Sequence, residues 1–157
     1  MSQPSVVHGT FVIERAFEAT PTRVFAAFSS SEAKSHWFGT DDIDQPSIGL
    51  QTDFRIGGRE SWSADGPDGN AYKFEASFED IVTDKRIVST YKMWRGEDLI
   101  SVSVASVDLR PEENRTHLTY TEHGAFIDGR DEPSIREHGT REMFGTLARY
   151  IEAKQRV

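Results

Sequence analysis

The sequence predicts an α+β fold: a curved antiparallel β-sheet of about six to seven strands wrapped around a long C-terminal helix, with two short helices between strands 1 and 2. Three observations predict it. Apolar and polar residues alternate, between short turn signals, from Asp53 to Glu122, and such alternation builds strands with one dry face. A helix start at Thr20-Pro21 interrupts the strands near the N-terminus. A single stripe of apolar residues at helical spacing follows Pro133. The connections between strands are too short for crossovers, so neighbours are antiparallel. Such a sheet has one face to cover, and the long helix must cover it.

The elements follow in order. Residues 1–8 read as a flexible tail and residues 9–157 as one domain. Thr10 to Phe17 reads as a strand, because Phe11, Ile13 and Phe17 share one parity, although Arg15 shares it too. Thr20 suits an N-cap and Pro21 the first helical position, where its missing N–H is not needed. Val24, Phe25 and Phe28 give that helix an apolar face. Ser29 and Glu32 have capping-box spacing, which predicts a second short helix running toward Trp37-Phe38 and stopped by Gly39. Asp53 to Ile56 reads as a strand ending at Gly57-Gly58, and Arg59 to Ala64 as the next. Asp65 to Asn70 is a turn, after which Tyr72, Phe74, Ala76 and Phe78 alternate with Lys73, Glu75, Ser77 and Glu79. Ile87 to Trp94, Leu99 to Leu109 and Thr116 to Glu122 complete the sheet. In the middle one the apolar parity switches from Ile100, Val102 and Val104 to Val107 and Leu109, predicting a bulge near Ala105. In the last helix Ile135, Gly139, Met143, Leu147 and Ile151, widened by Phe144 and Ala148, form the inward stripe. Arg136, Glu137, Arg141, Arg149, Glu152 and Lys154 fall mainly on the other side.

Composition bounds the function. At 157 residues the chain is one ordinary domain, able to bury a core without staples. It has no cysteine, which excludes thiolate catalysis, disulfides and zinc–thiolate sites. A net charge of -8 repels phosphate backbones, so no nucleic-acid partner is expected. No apolar run approaches the roughly 20 residues of a membrane span, and residues 1–8 have neither the basic start nor the apolar stretch of a signal peptide. A cytoplasmic location and no membrane partner are the expectations.

Several segments resemble a known family. The stretch from Ile13 to Phe28 resembles the opening of SRPBCC domains (the START-like, Bet v-like helix-grip superfamily), and more narrowly the homologues of the activator of the heat-shock protein 90 ATPase. Trp37-Phe38-Gly39 resembles the Trp-centred end of the family's second short helix, Asp53 to Gly58 its Arg-x-Gly-Gly strand end, and Phe78 to Val88 its strand–turn–strand element. The resemblance spans roughly residues 10 to 155 and implies the helix-grip fold. It implies no single function, since the superfamily holds lipid carriers, polyketide cyclases, stress proteins and co-chaperone modules. Two positions depart from the family: Ala76 stands where a Gly is frequent, and Gly139-Thr140 where a Gly-Trp pair is frequent. The cavity wall is thereby changed, so ligand identity is not carried over.

The residues that bear chemistry are few. Of the five histidines, His117 and His123 share a strand parity, but six residues of strand hold them roughly 20 Å apart. No metal site and no cofactor are expected. Ser31-Glu-Ala-Lys34 matches the Ser-x-x-Lys of penicillin-binding enzymes without that family's other boxes; the segment is explained as a helix start. Gly57-Gly58 reads as a backbone bend that lets the sheet curve, or else as room opened for a ligand. Glu122 shares parity with Leu118 and Tyr120. It is an acid/base candidate if buried, a solvated carboxylate if the strand has ended, or the partner of Arg55 or Arg15. With Tyr91, Tyr120 and His123 it makes up the candidate catalytic set. The aromatic residues are the stronger signal: mixed tyrosines, tryptophans and phenylalanines suit a cavity with a few polar tips. The expected ligand-binding residues are Trp37, Phe38, Phe54, Arg55, Trp62, Tyr72, Phe74, Tyr91, Tyr120, Met143, Phe144 and Leu147.

Three functions compete. The first is binding of a small hydrophobic or aromatic molecule in a cavity of about 300 Å³ or more, closed by Trp37-Phe38 and the loop Gly124 to Glu132; a core filled by the protein's own side chains is the alternative. The second is a cavity enzyme of cyclase, aromatase or hydrolase type. The third, implied by the resemblance alone, is a chaperone-binding module; the resemblance implies an extra domain in eukaryotic relatives, and none is expected here. Homodimerisation through sheet edges or outward aromatics is left open.

Overall fold

The computed structural model describes residues 3–155. Seven strands, β1 (Val6–Phe17), β2 (Gln51–Thr52), β3 (Arg59–Asp65), β4 (Ala71–Val82), β5 (Arg86–Arg95), β6 (Asp98–Glu112) and β7 (Arg115–Ile127), form one antiparallel sheet. Two short helices, α1 (Pro21–Ser29) and α2 (Ser31–Ser35), separate β1 from β2, and the 23-residue α3 (Pro133–Gln155) ends the described chain. The strand order is β1-β7-β6-β5-β4-β3-β2. From β2 to β7 neighbours in sequence pair by hairpins, and β1 pairs with β7 at the opposite edge from β2. The helix-grip α+β architecture is the one predicted.

Thr20 caps α1 as expected, its side chain accepting from the Arg23 N–H. The second cap is Ser30 rather than Ser29: its side chain accepts from the Ala33 N–H, and Ser29 is the final residue of α1. Both serines have an acidic residue within a turn, and spacing alone does not separate them. Gly39 ends the segment at φ 79°, and a β-carbon there would lie 2.7 Å from the Trp62 indole. A glycine is what lets this loop lie on that ring.

Several boundaries differ from expectation. β1 starts at Val6, so residues 6–8 of the expected tail pair with Ile127, Phe126 and Ala125; Met1 and Ser2 lie outside the described residues. The Asp53–Ile56 strand is absent. The chain there makes a tight loop in which Gly58 N–H bonds Arg55 O and Gly57 N–H bonds Phe78 O. A β-carbon on Gly58 would lie 2.0 Å from Asp53 O, so that glycine serves close backbone approach, while Gly57 takes the left-handed turn at φ 84° in open space. β7 runs five residues past Glu122, placing that residue well inside the sheet and shortening the expected closing loop to residues 128–132.

The bulge also moves. Met93 pairs with Ser101 and Trp94 with Leu99, so the extra residue is Ile100 rather than one near Ala105. The buried row of β6 is then Ser101, Ser103, Ala105, Val107 and Leu109, while Val102 and Val104 lie on the outer face. β-branched residues suit a strand on either face, and here they populate the wet one. A second irregularity in the β4–β5 pairing falls at Glu79.

α3 shows the largest correction. Positions four apart advance about 40° around a helix, so a stripe counted strictly by four from Ile135 to Ile151 turns through about 160°. Ile135 is accordingly 62% exposed. Arg136, Thr140, Phe144, Leu147 and Ile151 lie within about 80° of one another, and these form the inward stripe. Arg136, expected outside, is carried inward.

Candidate functional site

Between the concave face of the sheet and α3 lies a cavity of about 760 Å³. Small residues are part of both walls, Ala76 and Ala105 on the sheet and Gly139 and Thr140 on the helix. Its mouth is framed by Gly39 to Asp41, the loop Gly129 to Glu132, and Ile135, Gly139 and Glu142 of α3. The volume is in the range of small-molecule sites, roughly 300–1,000 Å³. The interior is not the filled core that was the alternative.

Eleven aromatic residues contribute rings to the wall. Phe38 stands edge-on to Phe74 with ring centres 5.1 Å apart and to Trp62 at 6.0 Å. Phe74 meets Tyr91 at 5.0 Å, and Tyr120 meets Phe144 at 5.1 Å. Of the expected ligand-binding residues, Trp37, Phe38, Phe54, Trp62, Tyr72, Phe74, Tyr91, Tyr120, Met143 and Phe144 line the cavity. Two do not. Arg55 sits on the exposed loop, ion-paired with Asp53 at 2.8 Å. Leu147 is fully buried in the core one turn beyond Phe144. Trp37 is only partly a wall residue: it is buried, its indole N–H donates to Ala27 O at 3.0 Å, and its ring stacks edge-on against Phe28.

The candidate catalytic residues separate into three that meet and one that does not. Tyr91 and Tyr120 each donate to the Glu122 carboxylate at 2.6 Å, one to each oxygen. His123, next along β7, points to the outer face, where it bonds Thr10 and stacks on His8. The partner of Glu122 is neither Arg55 nor Arg15 but Arg136. Its guanidinium donates to the Tyr91 hydroxyl and Ser101 Oγ at 2.8 Å and to Asp131 at 2.6 Å, and reaches Glu122 at 3.5 Å. Burial chiefly pushes both tyrosines above their ordinary range, and the Glu122 charge adds to it; Arg136 pulls the other way. Burial opposes the charge of Arg136, but Tyr91, Glu122 and Asp131 outweigh it and hold the guanidinium above its usual range. Each hydroxyl proton is committed to Glu122, and Glu122 lies behind the tyrosines at 1% exposure. The cluster is a closed network that fixes the start of α3 to the sheet.

A second ionic pair sits across the cavity. Lys34 of α2 donates to Glu60 of β3 at 2.6 Å, and Glu60 also accepts from Thr52 at 2.9 Å. Both residues line the cavity. The Lys34 ammonium lies 4.9 Å from the centre of the Phe38 ring and 5.8 Å from that of Trp37. The Ser31 of the Ser-x-x-Lys match is exposed. Lys34, Glu60 and Arg136 were not among the sequence candidates. Angular position on α3 points to Arg136, while Lys34 and Glu60 come together only in three dimensions. Among the described residues, no group of three or more His, Asp or Glu is placed to hold a metal ion, and no helix is long and apolar enough to cross a membrane.

Comparison with known proteins gives one family. Residues 18–152 match the family described as Activator of Hsp90 ATPase homolog 1-like protein. An uncharacterized protein of Rhizobium leguminosarum is 34% identical, with a TM-score of 0.91 over 97% of this chain and 99% of its own. A Rhizobium loti protein is 40% identical, with a TM-score of 0.85 over 93% of this chain and 99% of its own. An AHSA1-like protein of Aeromonas hydrophila, 19% identical, shares the fold with a TM-score of 0.72 over 94% of each chain. The comparison with curated proteins found no match.

Proposed function

The chain belongs to the family described as Activator of Hsp90 ATPase homolog 1-like protein, and from that premise and its aromatic-lined interior we propose that it binds a small hydrophobic or aromatic molecule between the sheet and α3. The observation that carries this reading is the 760 Å³ cavity walled by rings. Protein interiors are close-packed, and a void of this size forgoes contacts that larger residues at Ala76, Ala105, Gly139 and Thr140 would make. Binding a ligand accounts for that loss. The same volume does not serve the cyclase or hydrolase reading as well, because the tyrosine hydroxyls spend their protons on Glu122 rather than turning them to the cavity.

The test uses N-phenyl-1-naphthylamine, an uncharged probe that fluoresces when it leaves water. The protein should enhance its emission with a saturable, micromolar dissociation constant. Gly139→Trp should abolish that enhancement: a β-carbon on Gly139 meets nothing within 4 Å, so the indole can lie across the mouth without unfolding the helix. Equal binding by the variant, or none by the natural chain, overturns the reading. The chaperone reading suggested by the family description would use the outer surface, and Gly139→Trp would then leave any stimulation of chaperone ATPase intact.

A further inference from the structure

Lys34 is a buried cation of the cavity wall whose hydrogen-bonding capacity exceeds its use. An ammonium has three N–H donors; one goes to Glu60 Oε1, and no acceptor among the described residues takes the other two. The residue is 9% exposed, faces the cavity, and has Phe38 and Trp37 beside its ammonium. A buried donor without a partner is costly, so a ligand that offers it an acceptor is favoured over one that does not. Arg136, the other deeply placed cation on the wall, makes four hydrogen bonds already.

Charge narrows the class further. The positive charge of Lys34 is matched by Glu60 at 2.6 Å, and a second carboxylate brought to the ammonium would sit against the first. Arg136 is matched by Asp131 and Glu122. Five carboxylates line the cavity (Asp41, Glu60, Asp131, Glu132 and Glu142) against four cations (Lys34, Arg95, Arg130 and Arg136). Arg130 is paired with Asp128, so the wall as a whole is acidic, and a low-dielectric interior magnifies any unmatched charge. Resting on the binding reading above, we infer that the ligand is an uncharged aromatic or polycyclic molecule carrying a carbonyl- or hydroxyl-type oxygen, and that this oxygen is held by Lys34 while the apolar body lies along Phe38, Phe74 and Tyr91. Organic acids of the same shape are disfavoured.

Three naphthalene probes separate the claims: Prodan, an uncharged naphthyl ketone whose emission moves to the red when its carbonyl accepts a hydrogen bond; N-phenyl-1-naphthylamine, uncharged and without a carbonyl; and anilinonaphthalene sulfonate, which is anionic. The double variant Lys34→Met/Glu60→Gln removes the donor without leaving an unpaired charge. It should weaken Prodan about tenfold, the size of one hydrogen bond to a charged group, and shift its bound emission to the blue. It should leave N-phenyl-1-naphthylamine within about twofold. The natural protein should bind the sulfonate at least about tenfold more weakly than the amine, since a buried unpaired charge costs more than a kilocalorie. Unchanged Prodan affinity and emission in the double variant, or tighter binding of the sulfonate than of the amine, overturns the inference while leaving the cavity reading standing. Binding of none of the three probes overturns the cavity reading itself. Infrared spectra of Prodan bound to the natural protein read the same contact without any substitution: a lowered carbonyl stretch is expected, and an unshifted one overturns the inference.

Discussion

At the scale of single residues, the structure turns on the buried charge of Glu122, which is fully engaged. Glu122 accepts from two tyrosines and faces Arg136. Truncating one side of a buried ionic network strands the other, at a cost of about 3 kcal/mol. Glu122→Ala is therefore expected to lower the melting temperature by about 10 °C in a domain of this size, measured by calorimetry. The tyrosines make a second prediction. All four carry phenols raised above the ordinary value of about 10, Tyr91 and Tyr120 most strongly because they are the most buried. A phenol with a raised folded value holds its proton more tightly in the folded state. Its contribution to stability is fully present below about pH 10 and is lost as pH climbs above that value toward the folded one. Phenolate absorbance should thus lag behind that of free tyrosine above pH 10 and then rise together with loss of the folded circular dichroism signal. Smooth titration of all four tyrosines near pH 10 in folded protein would contradict the burial described for them.

At the scale of elements, α3 decides what the site contains. Its sequence offers two apolar phases, one through Ile135 and Gly139 and one through Thr140 and Phe144. The sheet selects the second: Phe144, Leu147 and Ile151 are buried, and they lie on the same side of the helix as Arg136 and Thr140 rather than on that of Ile135. Arg136 enters the interior as a consequence and finds Tyr91, Ser101 and Asp131 waiting. Ile135→Ser is expected to change stability by no more than about 0.5 kcal/mol, as for other exposed positions. Arg136→Met, one residue away, should cost about 3 kcal/mol by leaving Glu122 and Asp131 without their cation. Urea denaturation of the pair measures both, and comparable losses would contradict the helix phase described above. β6 makes the same point: its valines at 102 and 104 face out and its serines at 101 and 103 face in, because the one-residue bulge at Ile100 sets the register and the sheet does not consult hydrophobicity position by position.

At the scale of the whole molecule, the pairing of β1 with β7 and the packing of α3 on β1 tie the first strand to the last strand and the last helix. Residues of β3 to β7, α2 and α3 line the cavity together, so the energy of a ligand bound there should appear as global stability. An uncharged naphthyl ketone at a hundredfold excess over its dissociation constant is expected to add about 2.7 kcal/mol, which raises the melting temperature by about 5–10 °C. Thermal unfolding with and without the ketone checks this; a shift confined to a local probe at the mouth would show that the interior is not the site.

Much of this was legible from residue order alone. Alternation from Tyr72 to Glu79, the Thr20-Pro21 cap and the apolar residues after Pro133 determine the strands, the inserted helices and the covering helix, because each depends on neighbours within a few positions. The aromatic character of the cavity wall was legible for the same reason: Phe74 lies in the alternating row from Tyr72 to Phe78, Phe144 beside the apolar stripe of the last helix, and Phe38 in the Trp-Phe-Gly end of the second short helix. The ionic pairs were not. Lys34 meets Glu60 across 26 positions and Tyr91 meets Glu122 across 31, and such meetings depend on strand order, on a bulge that shifts register by one residue, and on which side of α3 wins the core. Local pattern determined what kind of walls this protein builds; only the packing of those walls against each other decided which charges they trap and how much space they enclose.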